Sequence, residues 1–308
     1  MRIAIFGFLL CLGCPPAPVS PPAAPLAEGD HAMTVDGVPL AYHVRGRGPV
    51  CLVHPGGPGF EWSYLRMPEV ERLLTLVYLE PAGTGRSPPL ARTADYTFSR
   101  YAELLDGARA ALGLPKACVL GHSHGGRVAV FWAAAYPEHV GGLILYDTAA
   151  RSDAATRADR DAGVAAHANE PWFAAAIAAY RRSASAASDP DADAVARDEA
   201  PLFFADWTHR KDELAGWLAT LHAFASPMRG ASVQQAAWDM RARLSAVHAP
   251  ALVITGTKDC LTPPVRADEL VRAIPGAQLA VLPNSGHLGH IEEPAAFAAA
   301  IAQFARRL

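Results

Sequence analysis

The sequence has few charged residues, and it lacks several patterns that indicate particular functions. Charged residues make up 19% of the 308 positions, and the net charge is −3. No basic run, zinc-ligand spacing or phosphate-binding loop occurs in the chain. We therefore expect no nucleic-acid partner and no metal site. Hydrophobic residues make up 51% of the chain, which is typical of a folded protein with a large core.

The apolar run near the N-terminus is too short to cross a bilayer. It spans Ile3–Leu12 after Arg2, and it has the size of a signal-peptide core. Leu12-Gly13-Cys14 resembles a bacterial lipoprotein box, which predicts a lipid anchor at Cys14. We interpret residues 1–28 as a leader followed by a stiff Pro-rich spacer, and we expect a periplasmic, secreted or lipid-anchored protein. The alternative is a start-site artefact, which would leave the protein cytoplasmic.

Cysteines are scarce, and outside the leader they number three: Cys51, Cys118 and Cys260. Each lies in or beside an apolar run. An odd number in such positions favours three buried thiols over a disulfide framework.

Short apolar runs alternate with helical patterns in residues 29–150 and 245–308. This alternation predicts a mostly parallel sheet covered by helices on both faces. The predicted strands are Val38–Val44, Val50–His54, Leu74–Glu80, Ala117–Gly121, Leu143–Tyr146, Ala251–Gly256 and Leu279–Leu282. The predicted helices are Tyr101–Leu112, Arg127–Ala135, Val265–Ala273 and Ala295–Arg306. Residues 151–244 show helical periodicity, several aromatics and no convincing strand, so we expect a helical cap inserted into the α/β core.

One serine lies in a pattern that carries chemistry. Gly121-His122-Ser123-His124-Gly125 matches G-x-S-x-G and lies between a predicted strand and a predicted helix. This context is that of a nucleophile elbow, in which the serine occupies a strained turn that only small neighbours allow. We therefore predict Ser123 as a nucleophile.

The two histidines beside Ser123 are poor candidates for its base. A sharp turn directs neighbouring side chains away from the serine oxygen, and a base must approach within hydrogen-bond distance. The backbone N–H of His124 is instead a candidate oxyanion donor, because it follows the nucleophile directly. The loop His54–Gly59 follows an earlier strand, and we predict the Gly57 N–H as the second donor.

The base and the acid are predicted near the C-terminus. Asn284–Pro294 follows the last predicted strand, and we choose His287 over His290 as the base. Asp259 directly follows the strand Ala251–Gly256 and fits the chain order Ser, Asp, His. Asp147, which follows the strand Leu143–Tyr146, is the competing acid.

Four stretches together resemble the α/β-hydrolase superfamily, and within it the proline iminopeptidase branch. They are HPGGPG at His54–Gly59, GTGRS at Gly83–Ser87, GHSHGG at Gly121–Gly126 and SGHLGHIEEP at Ser285–Pro294. The resemblance covers residues 30–308 and implies an eight-stranded, mostly parallel sheet, a cap after the sixth strand and no cofactor. The sequence departs from the branch where Pro55 is inserted and where Glu80–Gly83 lacks the usual glutamine and arginine.

The resemblance implies a serine hydrolase that releases an N-terminal proline or another small residue from a peptide. In that branch, acidic cap residues bind the free α-amino group of the substrate. The cap offers Glu199, Asp206, Asp212 and Glu213, which we expect to be solvated surface acids. The aromatic cap and the departures from the branch support an alternative, an esterase or lactonase acting on small apolar esters. A non-catalytic binding protein on the same fold is a more remote alternative.

Overall fold

The computed structural model describes residues 26–308, so Cys14 and residues 1–25 of the predicted leader and spacer lie outside the described residues. The strands are Gly29–Val35 (β1), Val38–Gly46 (β2), Val50–His54 (β3), Thr75–Leu79 (β4), Ala117–His122 (β5), Val140–Tyr146 (β6), Arg151–Ser152 (β7), Trp238–Asp239 (β8), Ala251–Gly256 (β9) and Gln278–Leu282 (β10). The helices are Pro68–Glu71 (α1), Phe98–Ala111 (α2), His124–Ala135 (α3), Ala154–Ala165 (α4), Phe173–Arg182 (α5), Asp189–Glu199 (α6), Trp207–Arg210 (α7), Ala215–Leu218 (α8), Ala225–Gly230 (α9), Arg241–Leu244 (α10), Val265–Ala273 (α11), Gly289–Glu292 (α12) and Pro294–Ala305 (α13). Short 3₁₀ turns lie at Trp62–Leu65, Thr93–Asp95, Pro137–His139, Ser183–Ser185, Ala200–Phe203 and Ala231–Gln234.

The main sheet has eight strands in the order β1-β2-β4-β3-β5-β6-β9-β10. β1 and β2 pair antiparallel, as do β2 and β4, and the other neighbours are parallel. The prediction of a mostly parallel sheet with a cap after the sixth strand is confirmed. β1 was missed, because its residues alternate between partly buried and exposed at the sheet edge and carry little apolar signal.

The central strands are apolar because both faces of the sheet are covered. All residues of β4, β5 and β9 are buried, and apolar clusters lie on either side of the sheet. Parallel strands end at a common edge, so the loops after β3, β5, β6, β9 and β10 converge there. This edge brings distant parts of the sequence into one site.

The insertion between β6 and β9 is mainly helical, as expected, but it also contains a short ribbon. β7 and β8 pair antiparallel through Arg151↔Asp239 and Ser152↔Trp238. The expectation of no strand there was wrong, because two-residue strands leave no period to detect. The boundaries of the insertion at residues 151 and 244 stay a prediction.

Two of the three core cysteines are paired, which corrects the expectation of three free thiols. Cys51 on β3 and Cys118 on β5 are register partners with Cα atoms 4.5 Å apart, and they form a disulfide. Cys260 is a free, buried thiol as expected. The sequence does not give the register of two parallel strands, so this pairing was not predictable from spacing. Within residues 26–308, no helix combines the length and the apolar character needed to cross a membrane.

Candidate active site

Ser123 lies in a strained turn between β5 and α3. Its φ is 52° and its ψ −114°, a conformation that L residues rarely adopt. The turn is held by the Ser123 N–H, which donates to the Tyr146 carbonyl at 2.9 Å, and by the Arg127 N–H, which donates to the Ser123 carbonyl at 3.1 Å. The Thr148 hydroxyl also donates to the Ser123 carbonyl, at 2.7 Å. The strain is therefore maintained by hydrogen bonds from two directions.

Two glycines make this turn sterically possible. A Cβ at Gly121 would overlap the carbonyl of Gly125, and a Cβ at Gly125 would overlap the carbonyls of His54 and Pro55. The loop after β3 thus packs directly against the turn. These contacts give a physical reason for the glycines two residues before and after Ser123.

His287 and Asp259 lie together at the same sheet edge. His287 Nδ1 and Asp259 Oδ2 are 2.7 Å apart, and both residues are buried. Asp259 Oδ1 accepts from the N–H groups of Leu261, at 2.8 Å, and Thr262, at 2.9 Å. The carboxylate is fixed by its own loop, and it in turn orients the imidazole. Ser123 and His287 line one cavity, which leaves His287 Nε2 available on the cavity side.

Asp147 lies near the same pair but makes a different contact. Its Oδ1 accepts from the Gly256 N–H at 3.0 Å, while its buried Oδ2 has no partner among the residues described. Burial, and secondarily the nearby charge of Asp259, raise the pKa of Asp147 well above its usual value. Of the two acids considered from sequence, Asp259 is therefore the one bonded to His287.

The other histidines of the site have structural partners. The His122 ring bonds to the Tyr64 hydroxyl at 2.8 Å and to the His287 carbonyl at 2.9 Å, so both nitrogens are used. His290 likewise bonds to the Tyr146 hydroxyl at 3.0 Å and to the Tyr64 carbonyl at 3.1 Å. Burial lowers the pKa of His290 to about 4 and that of His122 well below its usual value. These rings are neutral packing elements rather than bases at neutral pH.

His124 and His54 behave in the same way. His124 Nε2 lies 2.9 Å from Gln234 Oε1, and His54 Nδ1 lies 3.0 Å from the Pro55 carbonyl. Burial lowers the pKa of His124 to about 3 and that of His54 to about 4. His54 therefore supports the loop after β3.

Ring nitrogens of His122 and His287 and a carboxylate oxygen of Asp147 lie within 4.8 Å of one another. Metal ligation needs free lone pairs, and both His122 nitrogens already bond to protein groups. Of the three residues, His122 bonds to the backbone carbonyl of His287, and this contact helps to hold the His287 loop in place.

The two residues predicted as oxyanion donors, Gly57 and His124, lie beside Ser123. Gly57 has a φ of 108°, which only glycine adopts readily, and His124 is the first residue of α3. Both residues line the cavity with Ser123. Within residues 26–308, neither N–H donates to a protein acceptor. Free N–H groups in this position can bind a developing negative charge on an oxygen.

The cavity has a volume of about 660 Å³ and a basic wall. Its apolar side includes Phe60, Phe203 and Trp217. Four arginines also line it: Arg127 from α3, Arg157 and Arg160 from α4, and Arg181 from α5. A volume of this order suits a small organic substrate.

The cavity holds one of the four cap acids considered from sequence. Glu199 lines it and is buried, which corrects the expectation of a solvated surface acid. Asp206, Asp212 and Glu213 are exposed and lie outside the lining. Burial raises the pKa of Glu199 to about 8, so its carboxyl group is mostly uncharged at neutral pH.

The family described as alpha/beta hydrolase fold matches residues 49–294. The chain belongs to the alpha/beta-hydrolase family. A protein of Caulobacter sp. (strain K31) named as a carbamate hydrolase, RutD, is 27% identical over 289 residues, which cover 88% of this chain and 96% of the relative. Proline iminopeptidase PfmaB of Pestalotiopsis fici is 26% identical, covering 84% of this chain and 93% of the relative. The protein is thus a hydrolase with a proline iminopeptidase among its relatives, as the motifs implied.

Solved structures share the fold of this hydrolase. The enol-lactonase of Burkholderia xenovorans LB400 has a TM-score of 0.67 at 22% identity, with 89% of this chain and 99% of that chain covered. The proline iminopeptidase of Mycobacterium smegmatis also has a TM-score of 0.67, at 24% identity, with 90% of this chain and 98% of that chain covered. The same architecture therefore accompanies different substrates, and the cavity lining must distinguish them.

Sequence reasoning missed the arginines and Tyr64. Arg127 follows Ser123 by one helical turn, and this spacing could have placed it beside the site. Arg157 and Arg160 are three residues apart, but nothing local indicates that α4 faces Ser123. Tyr64, whose hydroxyl contacts the Gly56 N–H at 2.7 Å and the His122 ring, carries no motif.

The raised pKa of Glu199 predicts that the stability of the hydrolase depends on pH. Its carboxyl group has a pKa near 4.5 in the unfolded chain and of about 8 in the folded protein. The folded state therefore binds more protons in this range, and stability falls as the pH rises from about 4.5 to about 8. A difference of one in the pKa between the folded and the unfolded state changes the free energy of unfolding by about 1.4 kcal/mol. Glutamine cannot ionise. We therefore expect the melting temperature of Glu199→Gln to fall less than that of the wild type when the pH rises from about 5 to about 8.5.

Thermal melts across this range check the Glu199 prediction. Asp212→Asn, at an exposed cap acid outside the cavity lining, serves as the control and should follow the wild-type curve. Parallel curves for Glu199→Gln and the wild type would contradict it.

Proposed function

We propose that this hydrolase is a serine esterase that acts through Ser123, His287 and Asp259. The observation that carries the proposal is the 2.7 Å contact between His287 Nδ1 and Asp259 Oδ2, beside a cavity that Ser123 and His287 line together. Each group has the role its position allows. Ser123 is the nucleophile, His287 is the general base and acid, and Asp259 orients the imidazole.

The reaction begins when Ser123 Oγ attacks the carbonyl carbon of the substrate. Its proton passes to His287 Nε2, and Asp259 stabilises the resulting imidazolium through Nδ1–H. The carbonyl oxygen becomes an oxyanion, which the Gly57 and His124 N–H groups bind; each such donor typically contributes roughly 3–4 kcal/mol. His287 then protonates the leaving oxygen, and the acyl group remains on Ser123.

Water completes the cycle. His287 removes a proton from a water molecule, which attacks the acyl carbon and forms a second tetrahedral intermediate. Collapse of this intermediate returns the proton to Ser123 and releases the acid. The departing alcohol leaves the cavity before this step, so the acyl-enzyme is a discrete covalent intermediate.

The cavity lining favours an ester over an N-terminal proline peptide. A free α-amino group is cationic at neutral pH, and it would face four arginines. Among the lining residues of the described chain, Glu199 alone is acidic, and its raised pKa keeps it mostly uncharged. An ester needs no anionic partner in the cap.

Proline iminopeptidase activity is the second candidate, and two observations favour it. Glu199 lies in the cavity and would gain charge above about pH 8, where it could pair with an amine. A proline iminopeptidase is also among the curated relatives.

Parallel assays with p-nitrophenyl acetate and prolyl-β-naphthylamide decide between these functions. We expect ester turnover and little or no amide turnover at neutral pH. Faster release of proline than of acetate would replace the proposal with the aminopeptidase. No turnover of either substrate, with no labelling by a fluorophosphonate, would favour a non-catalytic binding protein.

We also propose that the protein is exported. The leader at residues 1–28 supports this, as does the Cys51–Cys118 disulfide, because disulfides persist mainly in oxidising compartments. Fractionation of cells that express the full chain tests it. Recovery in the cytosol with residue 1 retained would contradict it.

A further inference from the structure

The arginines of the cavity have few partners of their own. Arg160 pairs with the exposed Asp161 at 3.0 Å. Within residues 26–308, Arg127, Arg157 and Arg181 make no salt bridge with an acidic side chain of the protein. The buried Nε of Arg127 has no hydrogen-bond partner there either. A buried guanidinium N–H without a partner is costly, and it indicates a group that a ligand completes.

Several features concentrate positive potential around Arg127. It lies on α3, whose first turn contains no acidic residue and whose N-terminus faces the cavity at Ser123. Arg160 reaches the same region, with its guanidinium carbon 5.7 Å from the Tyr180 ring centroid, and Tyr180 lines the cavity. Glu199 adds little opposing charge, because burial raises its pKa to about 8.

We propose that Arg127, assisted by Arg160, binds a carboxylate carried by the substrate, so that the natural substrate is a small anionic ester or lactone. This inference rests on the proposed esterase function and specifies its substrate class. A guanidinium binds a carboxylate through paired N–H donors and holds its charge permanently. Arg127 and Ser123 are one helical turn apart, roughly 6 Å along the helix axis. The carboxylate and the scissile carbonyl then occupy the same cavity.

Matched ester pairs test the proposal on the full-length protein. p-Nitrophenyl hemiglutarate carries a carboxylate on the acyl side, and p-nitrophenyl valerate is its neutral counterpart. 3-Acetoxybenzoate and its methyl ester provide the same comparison on the leaving-group side. We expect kcat/KM to favour the carboxylate member of at least one pair by about tenfold or more, and the pair that responds identifies the side that carries the charge.

Variants assign the preference to Arg127. Arg127→Gln should reduce the carboxylate-to-neutral ratio by roughly 10- to 100-fold, mainly through KM, and Arg127→Lys should retain part of it. Arg306→Gln, at an exposed arginine after α13 and outside the cavity lining, is the control for loss of one positive charge and should leave the ratio unchanged. If Arg127→Gln does not fold, two other measurements test whether the arginines bind a carboxylate. They are the carboxylate-to-neutral ratio of Arg160→Gln and the inhibition of the wild type by glutarate. Glutarate should inhibit neutral-ester hydrolysis at least about tenfold more strongly than glutaramide.

The outcomes separate this inference from the proposed function. Hydrolysis of neutral esters with no preference for either carboxylate ester would overturn the anionic substrate class and leave the esterase intact. An unchanged ratio in folded Arg127→Gln and Arg160→Gln would overturn the assignment to these arginines. No hydrolysis of any ester, with no labelling of Ser123, would reject the esterase itself.

Discussion

Replacement of Ser123 by alanine is expected to reduce kcat for p-nitrophenyl acetate by roughly 10⁴- to 10⁶-fold. The variant loses the nucleophile, so no acyl-enzyme forms, and only substrate binding and the oxyanion donors remain. Its stability should change little. Within the part of the chain the structure describes, the Ser123 side chain makes no hydrogen bond, and the turn is held by backbone groups and Thr148.

Steady-state kinetics together with a thermal melt check this expectation. Ser152→Ala, at another serine that lines the cavity, is the control and should retain most of the activity. A folded Ser123→Ala variant with activity within about tenfold of the wild type would contradict the assigned nucleophile.

Two aspartates near His287 allow a matched pair of variants with opposite expected results. Asp259→Asn should reduce kcat by about 10⁴-fold, because an amide cannot stabilise the imidazolium and favours the wrong tautomer. Asp147→Asn should change kcat by less than about tenfold, because Asp147 does not bond to His287 and burial favours its protonated form, which asparagine resembles. The asparagine oxygen can still accept from the Gly256 N–H.

The kcat values of these two variants show which aspartate orients His287. Equal large losses would mean that the aspartates act as a unit, and a larger loss for Asp147→Asn would reverse the assignment. Circular dichroism and melting temperature identify any loss that comes from misfolding.

The sequence allowed prediction of those parts of the site whose signals are local. A glycine on each side of Ser123 is required because the turn contacts the neighbouring loop, and that requirement is visible as G-x-S-x-G. His287 and Asp259 follow strands, so a parallel sheet brings them to one edge whatever the details of packing. The strand Ala251–Gly256 and the helix Val265–Ala273 were predicted with the observed bounds, because turn residues border both.

The remaining features depend on tertiary contacts that have no local signal. The burial of Glu199 and the approach of Arg160 to Tyr180 follow from how the cap helices pack over the cavity. A surface acid and a buried acid on a helix look alike in sequence. The Cys51–Cys118 pairing depends on the register of two strands. β1 is an edge strand whose sequence has only a weak alternation of apolar and polar residues. Cap residues form much of the cavity lining, and their packing has no local signal in the sequence, so the sequence predicts little about the substrate.

Covalent labelling at a single residue tests the central claim most directly. The full-length protein is treated with a fluorophosphonate, digested, and the modified peptide is sequenced by mass spectrometry. We expect one adduct, on Ser123, that is absent from Ser123→Ala and forms much more slowly in His287→Ala. An adduct on another residue, or none on folded and active protein, would contradict the assignment of Ser123 as the nucleophile.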